Sequence, residues 1–142
     1  MTDPEPDRLL LAVDPGSAKC GLALLTESGR VLEMAVVARS ELAATVSQLV
    51  QGRPLAALLV GDRTTHRAVI GELQALGIEA PLHVVPEHNT TLRARERYLQ
   101  DHPPQGWRRL IPRGMIVPPG PLDHYAALVM AEDWLASQSQ PD

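Results

Sequence analysis

The run Leu55-Ala56-Ala57-Leu58-Leu59-Val60, bounded by Pro54 and Gly61, is apolar at every position. A strand with apolar side chains on both of its faces must be covered on both. That is the condition of a parallel strand inside a sheet flanked by helices. This segment is therefore predicted to be central and parallel. Before it come three extended segments, Leu9–Val13, Cys20–Leu25 and Val31–Ala38. They are separated only by Pro15-Gly16-Ser17 and Glu27-Ser28-Gly29-Arg30, and connections this short favour antiparallel neighbours.

Helical spacing appears between and after the strands. Ser40 precedes Glu41-Leu42-Ala43-Ala44, apolar residues recur at Leu42, Val46, Leu49 and Val50, and Gly52-Arg53-Pro54 stops the pattern. A second helix is predicted from Thr65 to Leu76 with Gly77 at its carboxyl end, then a buried strand over Leu82–Val85 and a third helix from Thr90 to Leu99. The stretch from Trp107 to Pro121 is rich in proline and glycine and reads as a surface loop. A last helix follows from Leu122 or Asp123 to Leu135. The order predicts an α/β fold with a five-stranded mixed sheet, three antiparallel strands then two parallel, and helices on both faces.

A chain of 142 residues suits one domain, here 8–136, with 1–7 and 137–142 as tails. A domain of this size buries roughly 70% of the surface its unfolded chain exposes. Apolar residues make up 44% but phenylalanine is absent, so Leu, Val and Ala must fill the interior, joined by Tyr125 and Trp134. One cysteine, Cys20, excludes an internal disulfide, and no Cys/His cluster has zinc-ligand spacing. No apolar run approaches the roughly 20 residues needed to span a bilayer, and no signal peptide is seen, so a cytoplasmic setting is expected. The net charge of −4 argues against broad nucleic-acid affinity. Its distribution argues for a local basic face, since Arg93, Arg95, Arg97, Arg108, Arg109 and Arg113 crowd one region.

The chemistry-bearing residues lie at element ends. Asp14 follows the strand Leu9–Val13 and enters the turn Pro15-Gly16-Ser17; Glu87 closes the run ending in Val85-Pro86; Asp123 opens the last helix. Single acids at such positions usually cap helices or decorate turns. Three of them at the ends of strongly apolar segments can converge on a divalent cation. Asp62, after the central strand, is either a further acid for that cation or a helix cap before Thr64-Thr65.

Four motifs in order give the chain a resemblance to the ribonuclease H-like superfamily, and within it to the YqgF-like (RuvX) branch of Holliday-junction resolvases and ribosomal RNA processing nucleases. They are Val13-Asp14-Pro15-Gly16-Ser17-Ala18-Lys19-Cys20-Gly21-Leu22-Ala23-Leu24, Leu58-Leu59-Val60-Gly61, Glu87-His88-Asn89-Thr90-Thr91 and Asp123-His124-Tyr125-Ala126-Ala127. The resemblance spans Leu9 to Leu135. It implies that Asp14, Glu87 and Asp123 are metal-binding catalytic carboxylates of a phosphodiester-cleaving nuclease using Mg²⁺ or Mn²⁺. The chemistry is coherent, because two divalent ions about 4 Å apart both activate water and neutralise the leaving oxygen. Hard cations take oxygen ligands and keep part of their shell for water and phosphate.

The sequence also departs from the pattern. An Asp-Glu-Arg triplet becomes Pro86-Glu87-His88, and after Gly61 stand Asp62-Arg63 in place of an apolar residue and proline. Candidate phosphate contacts are Lys19, Arg63, His88, Thr90, Thr91, Arg93, Arg108, Arg109 and Arg113. His88 reads equally as a neutral loop histidine. With Trp107 and Tyr98 as the only stacking candidates beside the basic segment, backbone reading by arginine is expected over base reading. RNA precursors are favoured slightly over branched DNA, and either a monomer or a homodimer is compatible. Two other readings are a catalytically weak RNA- or protein-binding module in ribosome maturation or transcription, and an actin-like ATPase phosphate loop at Asp14 to Gly21. The second needs two such domains, which this chain is too short to hold.

Overall fold

The computed structural model describes residues 8–63, 66–87, 90–103, 106, 110 and 122–139, with Thr90 and Thr91 described by backbone only. Strands β1 (Leu9–Asp14), β2 (Lys19–Thr26) and β3 (Val31–Ala38) form an antiparallel meander. A 3₁₀ turn at Arg39–Glu41 leads into helix α1 (Leu42–Val50). Then come β4 (Leu55–Gly61), α2 (His66–Ala75), β5 (Leu82–Val85), α3 (Thr90–Asp101) and α4 (Asp123–Ser139). The sheet order is β3-β2-β1-β4-β5, with β1 parallel to β4 and β4 parallel to β5. This is the predicted five-stranded mixed sheet.

Alternation along the strands divides the core in two. Leu9, Leu11 and Val13 of β1, Leu22 and Leu24 of β2, and Leu58 and Val60 of β4 pack with Leu42 and Val46 of α1 and Val69 and Leu73 of α2. Leu10 and Ala12, Ala23 and Leu25, and Ala57 and Leu59 face the other way, onto α4 and Ala94 of α3. Because successive strand side chains point to opposite faces, Asp14 falls on the α4 side with Leu10 and Ala12. Helix α4 is buried at every residue from Tyr125 to Ala131, so small residues such as Ala126, Ala127 and Ala131 let it lie close to the sheet.

The structure differs from expectation in four places. β5 was expected to be buried, but it is a sheet edge with Val84 48% exposed and only Val85 buried. Its four residues pair with β4 alone, and a short apolar run cannot distinguish an edge from a centre. Helix α4 continues to Ser139, beyond Leu135, so 137–139 are helical instead of a tail. Ser40 lies within the 3₁₀ turn, and neither Ala38 before that turn nor Glu41 before α1 makes a side-chain cap bond. Tyr98 is no stacking platform: it packs against the core, edge-on to Tyr125 and stacked on His102. Gly77, by contrast, ends the α2 segment as expected, with φ +70° in the left-handed region. Tyr125 is buried and donates a hydrogen bond to Asp101 at 2.9 Å, while Trp134 is partly buried, with its ring 5.5 Å from that of His83.

Where α4 begins, the sheet has no side chain. Gly21 pairs with Asp14 across β1 and β2, and a Cβ built on it would lie 1.9 Å from the backbone oxygen of Asp123. Glycine here is a spacing requirement. Gly21→Ala is expected to push back the start of α4 and to lower stability by about 1–3 kcal/mol, the usual range for overpacking. Urea denaturation checks this, and a variant as stable as wild type would show that α4 does not seat as closely as described.

Candidate active site

The carboxyl ends of β1, β4 and β5 lie side by side, since Val13 pairs with Val60 and Gly61 with Val85. In open α/β sheets this edge is where ligands bind. Asp14 ends β1, Asp62 and Arg63 follow β4, Glu87 follows β5, and α4 opens with Asp123. Lys19, exposed at the start of β2, lies at the same end of the sheet because β2 runs antiparallel to β1.

Asp14 is 2% exposed and Glu87 has a 5% exposed side chain, and the two carboxyl groups are hydrogen-bonded to each other. A second missing side chain makes this possible. A Cβ on Gly61 would lie 2.4 Å from the carboxyl carbon of Glu87, so the glycine at the end of β4 leaves the space that Glu87 fills. The Glu87 carboxylate accepts a hydrogen bond at Oε2 from the backbone N–H of Arg63 at 3.1 Å. Its own N–H donates to Asp62 Oδ1 at 3.2 Å, which ties the ends of β4 and β5 together. The Arg63 guanidinium leans over the pair, with Nε 3.3 Å from Glu87 Oε1 and 3.9 Å from Asp14 Oδ1.

Two carboxyl groups in contact away from water cannot both ionise freely. Burial, then the hydrogen bond and charge of Asp14, push Glu87 up to about 9. Asp14 is also raised, by burial first and by the charge of Asp123, with the bond to Glu87 and the charge of Arg63 opposing. The pair therefore shares a proton at neutral pH. Oδ1 of Asp14 is buried without a hydrogen-bond partner among the described residues. Beside Asp123, His124 packs its ring on Tyr125, and burial lowers its basicity.

The three acids predicted from the sequence are thus brought together unequally. Asp14 and Glu87 touch, while half-buried Asp123 on α4 acts on Asp14 through its charge. Among the described residues no group of three His, Cys, Asp or Glu side chains is placed to hold a metal ion. Asp62 accepts the backbone N–H of Glu87, while Thr64 and Thr65, before which it was read as a helix cap, lie outside the described residues. Arg93, expected to meet phosphate, is engaged by Asp133 through both terminal nitrogens and braces α3 on α4. Arg97 pairs along its own helix with Asp101 at 2.5 Å and reaches across to Glu132 of α4 at 3.5 Å. His88, Arg108, Arg109 and Arg113 lie outside the described residues, as do the side chains of Thr90 and Thr91. Sequence reasoning missed the spacing roles of Gly21 and Gly61. The signal was there, because each glycine stands at a strand end beside an acid.

No protein-family model and no curated protein matches the chain. Among solved structures it is similar to T. thermophilus RuvC in complex with Holliday junction substrate, with a TM-score of 0.58 and 18% identity over 93% of this chain and 96% of that one. It is also similar to Thermus thermophilus RuvC alone, with a TM-score of 0.55 and 16% identity over 93% and 97%. At such identities the likeness establishes the fold, which is ribonuclease H-like.

A group whose folded pKa lies above its unfolded value adds stability below the unfolded value and loses it as pH rises through the folded one. For Glu87 that window runs from 4.5 to about 9. The protein without added metal should therefore lose stability across this range, with a ceiling of about 1.4 kcal/mol per pH unit for one proton. His124 works in the opposite sense, since its lowered pKa makes folding more favourable as pH rises up to the ordinary histidine value, and no further above it. The diagnostic is thus the difference between wild type and Glu87→Gln, whose amide can still donate to Asp14. Denaturation curves at several pH values should show the variant gaining on wild type as pH rises; parallel curves would mean the pair is not coupled.

Proposed function

We propose that this chain is a divalent-metal-dependent nuclease that hydrolyses phosphodiester bonds. The observation that carries the reading is the contact between two buried carboxyl groups, Asp14 and Glu87, at the carboxyl edge of the parallel strands. The donor set suits a hard cation. It consists of carboxylate oxygens, one of them buried with no hydrogen-bond partner among the described residues, and their mutual repulsion is relieved by positive charge. Asp14 and Glu87 would hold Mg²⁺ or Mn²⁺, with Asp123 as the third carboxylate and Asp62 as the acid that fixes the Glu87 backbone. The bound ion would supply activation of water and neutralisation of charge on the leaving oxygen.

The chain's own residues do the remaining work. Asp14 is immobile because β1 is buried on both faces, so it fixes the origin of the site. Glu87 is held by main-chain bonds to the end of β4, which sets its carboxylate without the entropy cost of a free side chain. Arg63, with a 46% exposed side chain, and exposed Lys19 lie at the rim where a phosphate would approach.

Branched DNA is the first substrate to test, because the solved RuvC with a TM-score of 0.58 is bound to a Holliday junction and the two chains align over nearly their whole lengths. Structured RNA, as in ribosomal RNA precursor processing by YqgF-like nucleases, is the second. A different reading, a catalytically weak RNA- or protein-binding module, rests on the altered Pro86-Glu87-His88 triplet and the net charge of −4. Cleavage of four-way DNA, linear DNA and structured RNA with Mg²⁺ or Mn²⁺ decides among these. Asp14→Asn should retain nucleic-acid binding and lose more activity than the roughly 10- to 100-fold that removing an outer-shell partner costs. Wild type that binds branched DNA and cuts none of the three substrates would establish the binding module instead.

A further inference from the structure

We propose that Arg63 is a tethered cation that competes with the divalent metal for the Asp14–Glu87 pair, so that the ion enters only as the guanidinium swings out. This rests on the metal-nuclease reading above. One guanidinium serves both carboxylates, with Nε 3.3 Å from Glu87 Oε1 and 3.9 Å from Asp14 Oδ1. It thereby stands against the buried Asp14 oxygen that has no hydrogen-bond partner among the described residues, where an ion would take its ligand. A guanidinium and a divalent ion in that space would repel each other with little water between them.

The backbone of Arg63 is pinned while its side chain is not. Its N–H donates to Glu87 Oε2 at 3.1 Å, and its carbonyl accepts the N–H of His66 at 2.9 Å, at the start of α2. Those bonds do not use the guanidinium. The side chain, 46% exposed, can rotate away from the carboxyl pair without loosening the loop that holds Glu87. The energetic argument is a substitution of charge: in the metal-free protein one positive charge from Arg63 offsets the pair, and the ion must displace it before its own charge can act. Once displaced, the same guanidinium faces the approaching phosphate.

The test is Mn²⁺ binding to the metal-free full chain by isothermal titration calorimetry at fixed pH. Wild type, Arg63→Gln, Arg63→Lys and Asp14→Asn are compared, with thermal denaturation confirming that each is folded. Arg63→Gln should bind Mn²⁺ at least about tenfold more tightly than wild type. Arg63→Lys, which keeps the charge, should stay within a few-fold of wild type, and Asp14→Asn should bind much more weakly. Binding that is tight in Arg63→Gln and undetectable in wild type would support the same conclusion. If wild type binds Mn²⁺ in an Asp14-dependent way and Arg63→Gln binds with equal or lower affinity, the competition is overturned while the metal site stands. If no folded variant binds Mn²⁺, both the competition and the metal-nuclease reading fall.

Discussion

The site depends on the burial of β1 on both faces. With β2 on one side, β4 on the other and helices above and below, β1 has one register available, because a one-residue slip would exchange its two apolar sets. Leu9, Leu11 and Val13 are committed to α1 and α2, and Leu10 and Ala12 to α4. The next residue is Asp14, and parity alone assigns it to the α4 face. There the neighbouring strands offer glycine on each side, Gly21 on β2 and Gly61 on β4, so the acid is flanked by two openings. The main chain of Asp123 occupies one and the side chain of Glu87 the other.

That arrangement is costly to the fold. Each leucine fully buried along β1 contributes about 1.5–3 kcal/mol, whereas two carboxyl groups in contact under the same roof oppose folding once both are ionised. A chain selected for stability alone would place an amide or an apolar residue at position 87. Retention of two acids at the one place where apolar packing, tight register and glycine spacing converge is the kind of local conflict expected at a functional site.

The sequence showed much of this where the information is local. The first three strands, β4 and three of the helix starts follow from apolar runs, turns and helical spacing, and Asp14, Glu87 and Asp123 could be singled out as acids at element ends. What escaped depends on contacts between distant segments. Whether Leu82–Val85 lies at an edge depends on what packs beside it, and four apolar residues carry no record of that. Arg93 reads as a free cation because its partner Asp133 is 40 residues away. Tyr98 reads as an exposed ring because its neighbour Tyr125 belongs to another helix. The acids could be named, but the fact that two of them touch while the third stands apart follows from strand register and helix seating, which no short motif encodes.

The two departures from the pattern that the sequence resembles explain each other in three dimensions. Around Glu87 an acid and an arginine are replaced by Pro86 and His88, and after Gly61 an apolar residue and a proline are replaced by Asp62 and Arg63. Read along the chain, these are a loss in one motif and an unrelated oddity in another. In the folded protein β4 and β5 are parallel neighbours, and Gly61 pairs with Val85, so the two altered segments emerge side by side. Asp62 accepts the Glu87 N–H, and Arg63 reaches the Glu87 carboxylate both through its main chain and through its guanidinium. An acid and an arginine thus still attend the central glutamate, supplied by the adjacent strand end. Proline at position 86 removes a backbone donor on the β5 side, and a proline at position 63 would have removed the N–H that now holds Glu87. Compared with the pattern that the sequence resembles, an acid and an arginine stand beside the glutamate in both, and the strand that carries them differs.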